Sequence, residues 1–127
     1  MFRRVRIWLG ASALAAIFAC NTPSVPLPPP DLPALGFVDQ GLGAGLAELQ
    51  GKPDQQHIDA RFYVYNRSRG DGVIVTAGAD GSFTTSPFAG TDGDNVELYY
   101  DTPMGERSAT SCVALHFNAP LLSVPCN

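Results

Sequence analysis

Arg61-Phe62-Tyr63-Val64-Tyr65-Asn66, followed across Arg69-Gly70-Asp71-Gly72 by Val73-Ile74-Val75-Thr76, decides the fold class. Both runs are β-branched or aromatic, the composition that fits a pleated and half-buried surface. The Gly-Asp-Gly segment between them supplies the backbone freedom a hairpin turn requires. Side chains alternate across a strand, so Phe62 and Val64 are expected on one face and Tyr63 and Tyr65 on the other.

Working outward, the same grammar repeats. Ser82-Phe83-Thr84-Thr85, Val96-Glu97-Leu98-Tyr99-Tyr100 and Cys112-Val113-Ala114-Leu115-His116-Phe117 read as strands, with Leu35 to Gln40 and Leu46 to Gln50 as further candidates. Alternation assigns Val96, Leu98, Val113 and Leu115 to the core. Turn signals separate the runs at Asp80-Gly81, Asp92-Gly93-Asp94 and Met104-Gly105. Gly or Pro interrupts every stretch that could sustain a helical apolar period. The expectation is an all-β domain over 35–127, a small Greek-key β-sandwich of about seven strands.

Two different segments precede this domain. Met1 to Arg6 is basic through Arg3, Arg4 and Arg6, and Ile7 to Ala19 is an apolar run of 13 residues. A bilayer-spanning helix needs about 20 apolar residues, so residues 1–19 read as a signal peptide, with its helix, rather than a transmembrane anchor. Residues 21–34 hold six prolines. Proline lacks the amide donor and fixes φ, which suits a polyproline II tether of about 3.1 Å per residue.

Setting aside residues 1–19 leaves five basic against twelve acidic side chains, a net charge of −7. An acidic chain lacks the Lys and Arg that replace counterions on a polyphosphate, so nucleic acid is excluded as a partner class.

The residues Ile17-Phe18-Ala19-Cys20 resemble the lipobox of bacterial lipoproteins. The resemblance implies cleavage before Cys20 and covalent lipid on its thiol, with residues 20–34 as lipidated cysteine and tether. Two or more acyl chains anchor a protein stably without spanning the membrane. Asn21, where an Asp would favour inner-membrane retention, leans the location within the cell envelope towards the outer membrane.

With Cys20 lipidated, Cys112 and Cys126 remain as a pair. A bond between them closes a 15-residue loop, worth about 3 kcal/mol in the chain-entropy model.

Ala60 to Ser111 resembles bacterial Ig-like or carboxypeptidase-regulatory-like (transthyretin-related) sandwiches. The resemblance is carried by Val64-Tyr65-Asn66, Ala79-Asp80-Gly81-Ser82-Phe83, Gly93-Asp94-Asn95-Val96-Glu97-Leu98 and Gly105-Glu106-Arg107-Ser108. It implies that the Asp-Gly-Ser-Phe segment turns one strand into the next and that Phe83 enters the core. Modules of this kind serve as spacers, adhesins and binding units.

Chemistry-bearing residues are few. Asp80, Asp92 and Asp94 lie in Asp-Gly turns without the spacing of a calcium loop. His57 and His116 have no zinc-ligand spacing around them, and His116 is expected on a strand. No Gly-x-Ser-x-Gly elbow is present. Arg69-Gly70-Asp71 reads as a solvated turn rather than an adhesive tripeptide, and no catalytic residue or cofactor beyond the lipid is assigned.

Tyr63, Tyr65 and Tyr99 are the candidate binding face, if the two strands that carry them lie side by side. Two functions stay open. One is a non-catalytic membrane-anchored lipoprotein whose sandwich serves as an envelope protein-interaction or structural module. The alternative is a small-ligand or glycan-binding lipoprotein using an exposed tyrosine face.

Overall fold

The computed structural model describes residues 27–41 and 44–126. The expected signal peptide, Cys20 and the first part of the tether lie outside the described residues. Among the described residues eight strands form two antiparallel sheets: β1 (Leu35–Asp39), β2 (Leu46–Gly51), β3 (Arg61–Asn66), β4 (Asp71–Thr76), β5 (Phe83–Thr84), β6 (Phe88–Ala89), β7 (Asn95–Asp101) and β8 (Ser111–Ala114). The described helical elements are two three-residue 3-10 turns, Leu32–Ala34 and Gln55–His57.

One sheet places β2 between β1 and the β5/β6 line, and the other runs β4-β3-β7-β8. β2 with β5/β6 and β3 with β7 are neighbours that are not consecutive in the chain. Each such pair results from crossings between the sheets, the Greek-key wiring expected of a sandwich.

The eighth strand is β6, which the sequence reading lacked. β5 and β6 both pair with β2, at Gln50–Gly51 and at Leu46–Ala47 respectively, so they form one interrupted edge line. Pro87 lies in the interruption, where its missing donor is tolerated at an edge. Thr85 bridges the gap by donating its amide to Leu49 O and accepting the Leu49 amide on Oγ1.

The last strand also ends earlier than expected, at Ala114. Leu115 turns inward, and His116 is an exposed residue beyond the strand.

Alternation holds on the inward faces. Phe62, Val64, Val96, Leu98, Val113 and Leu115 are all buried, together with Phe37 and Leu49 from the opposing sheet. Phe62 stacks on Phe83 with ring centroids 4.3 Å apart, which joins the two sheets directly.

The C-terminal tail folds along the edge of β8. Val113 bridges Ser123, the Val124 amide donates to Cys112 O, and Cys112 and Cys126 stand at disulfide distance with Cα atoms 5.3 Å apart. A stapled tail covers strand groups that would otherwise offer a template for pairing.

Among the described residues, packing against the sandwich already involves Leu27, ahead of residue 35. Leu27 pairs with Ser108, the Ala109 amide donates to Leu27 O, and Leu27 and Leu32 lie against the core. The second half of the proline-rich stretch is therefore part of the folded unit.

Gly81 in the Asp80-Gly81 turn has φ +85, and a Cβ added there would lie 2.0 Å from the Asp54 carbonyl oxygen. Both the backbone conformation and the close approach require glycine. Gly81→Ala is expected to cost more than about 1 kcal/mol, lowering Tm by at least about 5 °C in thermal unfolding.

Candidate functional site

The outer face of the β4-β3-β7-β8 sheet carries the three tyrosines. Tyr63 pairs with Ile74 of β4 on one side and with Tyr99 of β7 on the other. Tyr65 lies between Gly72 and Glu97, and Glu97 pairs with Cys112. Residues directly opposite in an antiparallel pair share a face. One row is therefore Ile74–Tyr63–Tyr99, and the next is Gly72–Tyr65–Glu97–Cys112.

Tyr63 and Tyr99 stack with centroids 4.7 Å apart and planes 17° from parallel. The Arg107 guanidinium lies 4.7 Å from the Tyr99 centroid and 5.6 Å from that of Tyr63, a cation–π arrangement over both rings. Asp101 fixes the guanidinium with a two-point contact, at 2.9 and 3.1 Å. Arg107 holds the Asp101 carboxyl below the ordinary carboxylate range, and Asp101 in turn raises the arginine.

Tyr65 and Ile74 remain uncovered, at 47% and 63% exposure, beside the half-buried Tyr63, Glu97 and Tyr99. Gly72 opens the surface between them: a Cβ there would lie 2.7 Å from Val64 O and 3.2 Å from the Tyr65 ring. The result is a shallow depression of about 490 Å³ walled by Tyr63, Tyr65, Ile74, Glu97 and Tyr99. A more polar hollow of about 310 Å³ adjoins it, with Asp59, Arg61, Tyr63 and Asp101 among its walls.

The sequence reading missed Ile74 and Arg107. Ile74 could have been found from the hairpin register, which sets it opposite Tyr63. Arg107 arrives from the loop after β7, and no strand period reports that placement.

The other candidates occupy structural positions. Arg69 and Asp71 are both engaged within the fold. Arg69 pairs with Asp94 at 2.9 Å and bonds Thr91 Oγ1, while Asp71 Oδ2 accepts the Ala89 amide at 2.8 Å. Asp80 caps its own turn by accepting from the Ser82 amide and hydroxyl, which lowers its pKa. Asp92 faces His116 Nδ1 at 3.0 Å on the surface. Among the described residues, no three His, Cys, Asp or Glu side chains converge as a metal site.

Asp94 is the hub of a polar plug at one end of the sandwich. Its carboxylate accepts from Asn66 Nδ2, Arg69 Nε and the Thr91 amide, each at 2.9 Å. Asn66 Nδ2 also reaches Ala89 O in the opposite sheet, so the plug ties both sheets. Burial pushes the Asp94 carboxyl up, but the hydrogen bonds from Arg69, Asn66 and Thr91 and the arginine charge outweigh it, lowering the pKa to about 2.

His57, at the opposite end, is fully buried against Phe62 and Tyr100.

Comparisons with family models, with curated proteins and with solved structures found no match to this chain.

The native state binds the Asp94 proton more weakly than the unfolded chain does. Its stabilisation is therefore fully present above pH 3.8 and is lost as pH falls through about 2. Asp94→Asn is expected to remove up to about 2 kcal/mol at neutral pH. Urea unfolding between pH 7 and 2 should show a correspondingly shallower acid slope for the variant.

Proposed function

We propose that this protein is a non-catalytic lipoprotein of the bacterial cell envelope. In this reading Cys20 carries the lipid anchor, favouring the outer membrane, and the sandwich docks an envelope protein through the outer face of the β4-β3-β7-β8 sheet. The observation that carries the docking reading is the Ile74–Tyr63–Tyr99 row with Tyr65 and Arg107 on a face that no other described layer covers. Tyrosine and arginine are the residues that anchor protein interfaces, because they combine large apolar area with polar handles. Exposed Ile74 adds an aliphatic contact that suits a protein partner.

The same geometry favours a protein over a glycan. Sugars stack on open aromatic faces, whereas the Tyr63 and Tyr99 rings pack against each other and under Arg107. The extracytoplasmic location is supported by the Cys112–Cys126 pair, since such bonds persist in oxidising compartments. The tether and signal-like segment supply the anchor part of the reading.

Two experiments test the two halves. Intact mass of membrane-extracted protein is expected to show a chain starting at Cys20 with added acyl mass, absent in Cys20→Ala. An unlipidated soluble chain would remove the anchor.

For the docking face, pull-down from solubilised envelope is expected to recover one stoichiometric protein partner. Either Ile74→Asp or Tyr65→Asp is expected to weaken that partner at least about tenfold, since an introduced charge must be desolvated at the contact. Ile74 is exposed on the edge strand β4, so Ile74→Asp should change Tm little, whereas Tyr65→Asp faces Glu97 and is expected to lower it. Unchanged recovery with both variants, or binding of purified glycan in place of a protein, would overturn the docking reading.

A further inference from the structure

Proline-rich residues 27–34 dock on the end of the sandwich opposite Asp94, and the contacts follow from what proline lacks. A proline run offers carbonyls without amides, so the domain supplies the donors. Gln56 Nε2 donates to Pro29 O at 2.8 Å and to Tyr100 Oη at 2.9 Å, and the Tyr100 hydroxyl donates to Pro28 O at 3.2 Å. At Asp31 the run regains an amide, and that amide donates to His57 Nε2 at 3.1 Å. Lys52 then donates its amide to Ala34 O, closing the docked segment.

The acceptance at Nε2 fixes the imidazole as its neutral Nδ1–H form. Among the described residues Nδ1 has no hydrogen-bond partner, and His57 is fully buried between Phe62 and Tyr100. Protonation would place a second N–H at Nε2, pointing at the Asp31 N–H. Two donors cannot share that contact, so the imidazolium forfeits the bond by which the docked segment is held at Asp31.

We propose that His57 is a proton-sensitive latch that holds the proline-rich segment on the domain when neutral and releases it when protonated.

The ionisable groups around the ring are Asp54 on its own turn, Asp31 on the docked segment and Tyr100 on β7, with uncharged Phe62 on β3. Asp54 favours the cation, while burial opposes it more strongly and leaves the His57 pKa below its ordinary value of 6.5. The neighbouring Asp54 carboxyl, with burial, raises the Asp31 carboxyl above its ordinary value. The docked state therefore binds the His57 proton more weakly than the released state. Docking is fully supported above pH 6.5 and weakens as pH falls from 6.5 through the lowered pKa. Release would lengthen the free tether by eight residues, about 25 Å of polyproline II. That gain in reach rests on the lipid-anchor reading, whereas the latch itself does not.

The test is residue-resolved hydrogen exchange on the full chain at pH 7.5 and 5.5, corrected for intrinsic rates. The reporters are the Asp31 amide, which donates to His57, and the Ala109 amide, which donates to Leu27 O. Protection at both is expected to fall by about three- to tenfold, the upper figure being the limit for one proton bound only by the released state. Amides of the β3–β7 ladder should keep their protection. His57→Gln retains an acceptor without titrating, so its protection should not depend on pH over this range.

A fall of less than about threefold in the wild-type chain, or a parallel fall in the β3–β7 ladder, would overturn the latch. Should His57→Gln fail to fold, the wild-type comparison decides alone. The readout is local protection rather than membrane attachment, so failure here leaves the anchor reading untouched.

Discussion

Phe62 stacked on Phe83 across the gap between the sheets sets the orientation of everything on β3. Once that ring is inside, the two-residue period sends Val64 inward as well and leaves Tyr63 and Tyr65 no place but the outer face. The same contact carries Phe83, the residue that closes the Asp80-Gly81-Ser82 turn, so the turn and the interior are coupled. A one-residue slip of β3 would exchange the core and outer sets completely. The aromatic face is therefore a consequence of how the core is filled.

Polar plugs close the sandwich at both ends, and they differ in kind. At the Asp94 end a charged carboxylate is fully satisfied by Asn66, Arg69 and Thr91, and the group is held ionised. At the His57 end a neutral imidazole accepts one amide, and its other nitrogen has no partner among the described residues. The first arrangement ties β3, β6 and the β6–β7 connection together in a way that only strong acid undoes. The second joins the domain to its own proline-rich lead-in through contacts that a single proton opposes. Permanence belongs at one end and responsiveness at the other.

The strands with clear alternation were legible in the sequence because burial on one face writes a two-residue period. Phe62, Val64, Val96 and Leu98 all follow it. β6 was illegible because two residues beside Pro87 carry no period, and the Thr85 side chain does part of the pairing. The docking of residues 27–34 was hidden for a related reason. Prolines advertise an extended chain, while the donors that capture their carbonyls, Gln56 and Tyr100, lie far along the sequence. Of the candidate face, the three tyrosines were readable from phase alone. The guanidinium of Arg107 was not, since its position depends on a loop and on the Asp101 contact.

On the docking proposal, a protein of the envelope occupies the outer face of the β4-β3-β7-β8 sheet. Hydroxyl-radical footprinting of Tyr65 and Ile74, in intact envelope and in the purified chain, tests it most directly, with Met104 in the exposed turn after β7 as an internal reference. The account predicts that Tyr65 and Ile74 are shielded in the envelope relative to Met104 and become reactive on purification. Equal relative reactivity in the two preparations would contradict it.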